Sequence, residues 1–142
     1  TSRHYCLQLI SLPESLPEKT AELYQQLIDE MLDFAVSRVH PPATLYRAAE
    51  NQLAILWPDA GREDVKEKAL LLHQSILDRR PWVNGLIEKA PVNSALVDFP
   101  SDSDNAADLF KLLIANVKQA RSQGADVIIL GDVEDGLYAV RQ

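Results

Sequence analysis

A single cysteine, Cys6, stands among 142 residues. One thiol cannot make an internal disulfide, and it fits a reducing compartment. Glycine is scarce as well, at five residues, and none of them builds the Gly-x-x-x-x-Gly-Lys loop that cradles phosphate. Basic residues are outnumbered, 14 Lys and Arg against 21 Asp and Glu, for a net charge of −7 and a pI near 4.9. That balance argues against nucleic acid as a partner, because phosphate backbones need a basic face. No apolar run approaches the ~18 residues of a membrane-spanning helix. The three histidines, His4, His40 and His73, fall in three different elements with no cysteine or acid at ligand spacing. No metal site and no cofactor are expected from them.

What remains is an ordinary folding composition, 46% apolar and 25% charged. The length suits one domain with a real core. Residue 1 is Thr, and residues 1–142 are expected to be a single domain cut from a longer, multidomain protein. Residues 4–10 are rich in strand formers. A proline-bearing loop follows from Ser11 to Lys19. Thr20 can cap a helix to about Ser37, with Leu23, Leu27, Met31 and Phe34 at helical spacing. His40-Pro41-Pro42 stops it. Two short strands, about 43–48 and 53–57, flank a Glu50-Asn51 turn, where Asn tolerates left-handed backbone.

A second helix is expected over 62–78, with Val65, Ala69, Leu72 and Ile76 inward. Arg79-Arg80-Pro81 ends it, and the two arginines serve the helix terminus. Val92 to Phe99 reads as a buried strand, and residues 101–104 as a turn and cap. A third helix runs from about Asn105 to Ser122, with Leu109, Leu112, Leu113 and Val117 inward and Gly124 at its end. Val127–Leu130 is an apolar strand, and a last short strand lies at about 137–141. Trp57 and Trp82 read as packing residues, with Trp82 the better candidate for a partner surface. The acidic stretch 132–135 lacks the spacing of a calcium loop and reads as a solvated turn. The order β-α-β-β-α-β-α-β opens with the ferredoxin-like split β-α-β plan, an α+β class with a mainly antiparallel sheet flanked by helices.

Three stretches carry a family resemblance. Tyr46-Arg47-Ala48-Ala49-Glu50-Asn51-Gln52-Leu53, closing at Pro58, resembles the catalytic hairpin of GGDEF-type diguanylate cyclases, Arg-Tyr-Gly-Gly-Asp-Glu-Phe. Residues 92–100 are similar to the family's strand after its second helix. Residues 116–124 look like its Ala-Leu-Tyr-x-Ala-Lys-x-x-Gly segment, with Ala120, a basic residue at Arg121 and Gly124 kept. The resemblance covers nearly the whole chain and implies a nucleotidyl cyclase palm core with an added C-terminal α-β unit.

The resemblance also implies chemistry that these residues do not supply. Family members bind GTP with divalent metal, using acids from the hairpin and the first strand. Here Ala49 and Glu50 stand at the two glycines, and Asn51 and Gln52 at the two acids. Amide oxygens are weak, uncharged ligands for hard cations. Glu50 adds a negative charge where phosphate would approach, unless it is simply a solvated turn residue. The guanine-reading positions are Leu16-Pro17-Glu18 and Tyr24-Gln25. The family's inhibitory Arg-x-x-Asp site falls on His40 and Ala43. Asn51 and Arg121 remain as candidate nucleotide contacts, although a lone Arg late in a helix more often just suits the helix dipole.

Three readings follow. The first is a degenerate, catalytically inactive GGDEF-type domain in bacterial cyclic di-GMP signalling, expected in the cytoplasm or in the cytoplasmic part of a membrane-anchored protein. It would act as a dimerisation or relay module, with a homodimer partner or other domains of its parent protein. The second is a non-catalytic sensor of GTP or cyclic di-GMP. The third, an active cyclase, would need metal ligands from Glu14, Glu18 or Glu50, whose spacing gives no support.

Overall fold

Tyr5–Ser11 alternates its side chains between two apolar environments and forms β1, the strand around which the sheet is built. Cys6, Gln8 and Ile10 point to one face, and Leu7 and Leu9 to the other. In the computed structural model, residues 4–14, 20–79 and 91–130 are described, together with the backbone of 137–139. The further elements are α1 (Ala21–Ser37), β2 (Thr44–Ala49), β3 (Gln52–Pro58), α2 (Arg62–Arg79), β4 (Asn93–Phe99), α3 (Ala106–Gln123), β5 (Val127–Leu130) and β6 (Leu137–Ala139). The sheet order is β2-β3-β1-β4-β5-β6. All neighbours are antiparallel except β4 and β5. This is the expected α+β plan with its C-terminal addition.

The helices α1 and α2 cover one face, where Ile10, Leu27, Met31, Ile55 and Ile76 share a core. On the other face α3 lays Leu109, Leu113 and Val117 against Leu9, Ala95 and Val97. Among the described residues β4 is buried along nearly its whole length, which its run of apolar and small residues allows.

Several expectations shift. The buried stripe of α1 is Tyr24, Leu27, Ile28, Met31, Leu32 and Ala35, with Leu23 and Phe34 only half-buried at its edges. The helix has one apolar face, and spacing alone does not say that Ile28 and Leu32 lie at its centre while Leu23 and Phe34 lie at its margins. Leu112 likewise sits at the edge of the α3 stripe. Ser11 is not loop: it is the last residue of β1, paired with both Gln52 and Asn93. The cap of α3 is Asn105, whose side chain accepts from the Asp108 amide at 3.1 Å, while Asp102 is engaged elsewhere. Thr20 does cap α1, accepting from the Leu23 amide at 3.2 Å. Gly124 does end α3, at a φ of 140° that a side chain would resist. Leu16-Pro17-Glu18, Arg80, Trp82, residues 132–135 and the outer part of the last strand lie outside the described residues.

Cys6 is fully buried, as a small hydrophobe, with its thiol 3.5 Å from the Ala60 carbonyl. Burial, reinforced by the Asp98 carboxylate and opposed by Arg62, pushes that thiol up to about 12. Burial pushes the Tyr24 phenol up to about 12 as well, and its hydroxyl donates to the Pro13 carbonyl at 2.6 Å. Both groups hold their protons in the folded state while the unfolded chain releases them near 9.0 and 10.0. Stability from these groups is therefore full below about pH 9 and is lost as the pH climbs toward 12. Native protein should also react with a thiol reagent at least ~100-fold more slowly than denaturant-unfolded protein, because the thiolate is the nucleophile. Comparable rates in the two states would contradict this packing.

Candidate functional site

The hairpin turn is closed by side chains rather than by left-handed backbone. Ala49 pairs with Gln52, leaving Glu50-Asn51 as a two-residue turn beside a bulge between Arg47 and Ala49. Such turns usually demand positive φ, yet neither Glu50 nor Asn51 has it. Arg47 explains the difference. Its guanidinium donates to the Glu50 carbonyl and pairs with Asp29 on α1 at 2.8 Å. Gln25, one turn before Asp29, reaches the Asp29 carboxylate at 3.2 Å and the Glu50 carbonyl at 3.5 Å. The Arg47–Asp29 pair is about half-exposed on both sides, so it contributes at most about 1 kcal/mol.

Asn51 is tied to the end of β1 by two bonds. Its side-chain amide donates to the Leu12 carbonyl at 2.6 Å, and its own carbonyl accepts from the Leu12 amide at 3.0 Å. Gln52 donates to the Ser11 hydroxyl at 3.3 Å. Arg121, arriving from the last turn of α3, donates to the same oxygen at 3.1 Å. The buried Ser11 hydroxyl in turn donates to the Leu12 carbonyl at 3.4 Å. Thus Arg47, Ala49, Glu50, Asn51, Gln52 and Arg121 all gather at one end of the sheet, where β1, the hairpin, α1 and α3 meet.

Three members of this cluster carry no sequence signal of their own role. Ser11 reads as the start of a loop. Asp29 and Gln25 show only a four-residue helical spacing. Tyr24, a candidate guanine reader by position, is a core residue. Arg121 is exposed, as expected for a helix-end charge, but its head group reaches across 110 residues to β1. Glu50 is exposed, a turn residue facing solvent.

Divalent metal does not fit this donor set. The positions nearest β1 offer amides, a hydroxyl and a guanidinium, and Asp29 is neutralised by Arg47. Among the described residues, no three His, Cys, Asp or Glu side chains cluster so as to hold an ion. His73 is buried between the Ser94 hydroxyl at 2.7 Å and the Asp126 carbonyl at 3.2 Å. The carbonyl can only accept, so Nε2 donates to it and Nδ1 faces the serine, a fixed structural tautomer.

A polar cluster closes the opposite end of the sheet. Asp98, at the end of β4, accepts from the first amide of α2, Arg62, at 3.0 Å and lies 2.6 Å from His4 Nε2. Asp102 accepts from the Asp98 amide at 2.7 Å and pairs with the Arg62 guanidinium. Gly61 lets the His4 ring lie close, since a Cβ there would stand 2.7 Å from it and the ring would have to move aside.

No family model matches the chain, and no curated protein matches it at a significant level. Solved structures do resemble it. An EAL/GGDEF domain protein from M. capsulatus superposes with a TM-score of 0.71 at 20% identity, over 91% of this chain and 86% of that one. The FimX GGDEF domain from Pseudomonas aeruginosa gives 0.71 at 18%, over 90% and 81%. The GGDEF domain of DgcB from Caulobacter crescentus, solved in complex with c-di-GMP, gives 0.64 at 13%, over 91% and 78%. Sheet order, helix placement and these likenesses define a nucleotidyl cyclase-type α+β fold. Within that class it is the fold of GGDEF domains.

Proposed function

We propose that this chain is a catalytically inactive GGDEF-type domain that serves cyclic di-GMP signalling as a dimerisation or relay module. It would work in the bacterial cytoplasm, as one domain of a larger protein. One observation carries the reading. The two hairpin positions that hold acids in active family members hold amides here, and both amides are spent on β1, at Leu12 and Ser11. A site kept for chemistry would hold those groups free for metal and triphosphate. Ala49 and Glu50 at the glycine positions add bulk and charge where a nucleotide would approach. Among the described residues no helix is long and apolar enough to cross a membrane, which is compatible with that location.

A second reading, a nucleotide sensor without turnover, is favoured by Arg121. Its guanidinium lies beside the hairpin on a hydroxyl it could exchange for a phosphate oxygen. The c-di-GMP complex of the DgcB domain makes a related ligand reasonable to test.

Thermal unfolding with GTP plus Mg²⁺, and separately with cyclic di-GMP, separates the two. The relay reading expects no shift and no cyclic di-GMP product. Ligand at 100 times its dissociation constant would add about 2.7 kcal/mol. A shift abolished by Arg121→Ala would establish the sensor, and product formation would overturn both readings.

A further inference from the structure

β2 closes the sheet on one side, and among the described residues no strand pairs with its outer edge. An unpaired edge is a row of backbone donors and acceptors open to another strand. Such edges are normally guarded by charged side chains, prolines, bulges or a covering element. β2 has few of these guards. Its residues are Thr44, Leu45, Tyr46, Arg47, Ala48 and Ala49, with no proline and a single charge. That charge does not guard the edge, because the Arg47 guanidinium is turned to Asp29 on α1 at 2.8 Å. Every residue of the strand except Leu45 is exposed. A bulge between Arg47 and Ala49 protects only the hairpin end.

Tyr46 stands in the middle of this edge and is 48% exposed. Its cross-strand neighbour is Ala54, which packs with Leu9, Val97 and α3. The helix lies over β1 and β4, and Tyr46 on the outermost strand extends beyond it. Core packing does not account for an aromatic side chain there.

We propose that the β2 edge is a dimer interface, where β2 of a second copy of this chain adds antiparallel across a two-fold axis at Tyr46. The inference rests on the dimerisation reading above and names its surface. An antiparallel pair related by a two-fold axis sets one residue opposite itself. Arg47 in that place would oppose like charges. Leu45 in that place would draw Pro42, which has no N–H, against Ala48. Tyr46 keeps the prolines outside the ladder. It puts the two rings side by side, Thr44 opposite Ala48, and Leu45 opposite Arg47. The ends of the strand match in charge as well. The segment entering β2 carries the exposed Arg38 and His40, and the turn leaving it carries the exposed Glu50. Antiparallel pairing brings the entering segment of one copy toward the leaving turn of the other. The two hairpin turns then lie at opposite ends of the ladder, so this dimer does not set the two hairpin sites face to face. A ladder this short is small beside the ~1,200 Å² at which stable interfaces begin, so the dimer should be weak and concentration-dependent.

Sedimentation of the whole chain from micromolar to millimolar concentration tests it. The wild type should pass from monomer to dimer and no further. Tyr46→Lys and Tyr46→Glu should each weaken dimerisation at least about tenfold, because each opposes like charges at the axis. Melting curves check that both variants fold. Mixed in equal amounts, the two variants should form a dimer containing one of each. Amide exchange over residues 44–48 should slow as the wild-type concentration rises, and in neither variant alone. Leu71→Lys, at the most exposed large hydrophobic residue among those described, should dimerise like the wild type. A dimer that survives in both Tyr46 variants, or that leaves exchange at 44–48 unchanged, would overturn this interface and leave the dimerisation reading standing. A mixture that stays monomeric would overturn the axis at Tyr46. A wild-type chain that stays monomeric throughout would overturn the interface and the dimerisation reading together.

Discussion

Asp102→Ala is expected to cost the fold about 3 kcal/mol, the largest loss from any single polar side chain described above. Asp102 makes two bonds that nothing else replaces. One carboxylate oxygen holds the Asp98 amide at the turn after β4, and the other pairs with the Arg62 guanidinium. The pair is mostly buried, at 10% exposure for Asp102 and 18% for Arg62. Removing one partner of a buried pair leaves a desolvated charge behind, which costs ~3–5 kcal/mol when burial is complete. The remaining exposure and the nearby Asp98 carboxylate moderate that figure. Asp102→Asn should lose less, since an amide oxygen can still accept from the Asp98 amide. Asp104→Ala, exposed two residues on, should stay within about 0.5 kcal/mol of the wild type. Urea unfolding of the three variants decides the matter. A loss below about 1 kcal/mol for Asp102→Ala would show that water already shares the Arg62 charge.

That cluster also marks where the sequence stops being legible. The elements could be read because their signals are local. Val127–Leu130 is a short apolar run, α2 repeats its apolar residues at helical spacing, and Thr20 and Gly124 punctuate two helices. The His4–Asp98–Arg62–Asp102 group has no local signal. Asp98 lies 94 residues from His4 and 36 from Arg62, and only strand pairing brings them together. In sequence Asp98 is merely a polar residue near the end of an apolar strand. The candidate site divides in the same way. The hairpin and its Asn51-Gln52 pair are legible, because they are consecutive residues. Ser11 and Asp29 are not, because their partners lie 41 and 110 residues away for the one, and on a separate element for the other. The turn lies where the sequence places it, at Glu50-Asn51, but the way it is held is not legible for a related reason. Propensity assigns Asn51 a backbone role, whereas its contribution is a side-chain bond to Leu12, 39 residues earlier.

That bond makes acids at the hairpin costly to introduce. Asn51→Asp should destabilise the fold by about 2 kcal/mol at neutral pH. The donating nitrogen lies 2.6 Å from the Leu12 carbonyl oxygen. A carboxylate oxygen in its place would face that carbonyl with no proton between them, so one bond is lost and two acceptors are opposed. Gln52→Glu should differ. Its partner is the Ser11 hydroxyl, which can turn its proton, and Arg121 lies on the same oxygen. A carboxylate there gains a cation, so a change within about 0.5 kcal/mol is expected. The sign of the pH dependence separates the two variants. In Asn51→Asp only the protonated carboxyl can donate to Leu12, so its pKa is raised above the ordinary ~3.9. The penalty is therefore present at neutral pH and relieved as pH falls through that raised value. Measured against the wild type at about pH 7 and about pH 5, the Asn51→Asp deficit should shrink and the Gln52→Glu difference should not. On the proposed reading neither variant, nor both together, should form cyclic di-GMP, since Ala49 and Glu50 would remain at the glycine positions. An Asn51→Asp protein as stable as the wild type at both pH values would mean that the amide is not holding the hairpin to β1, and the case for a repurposed site would lose its main support.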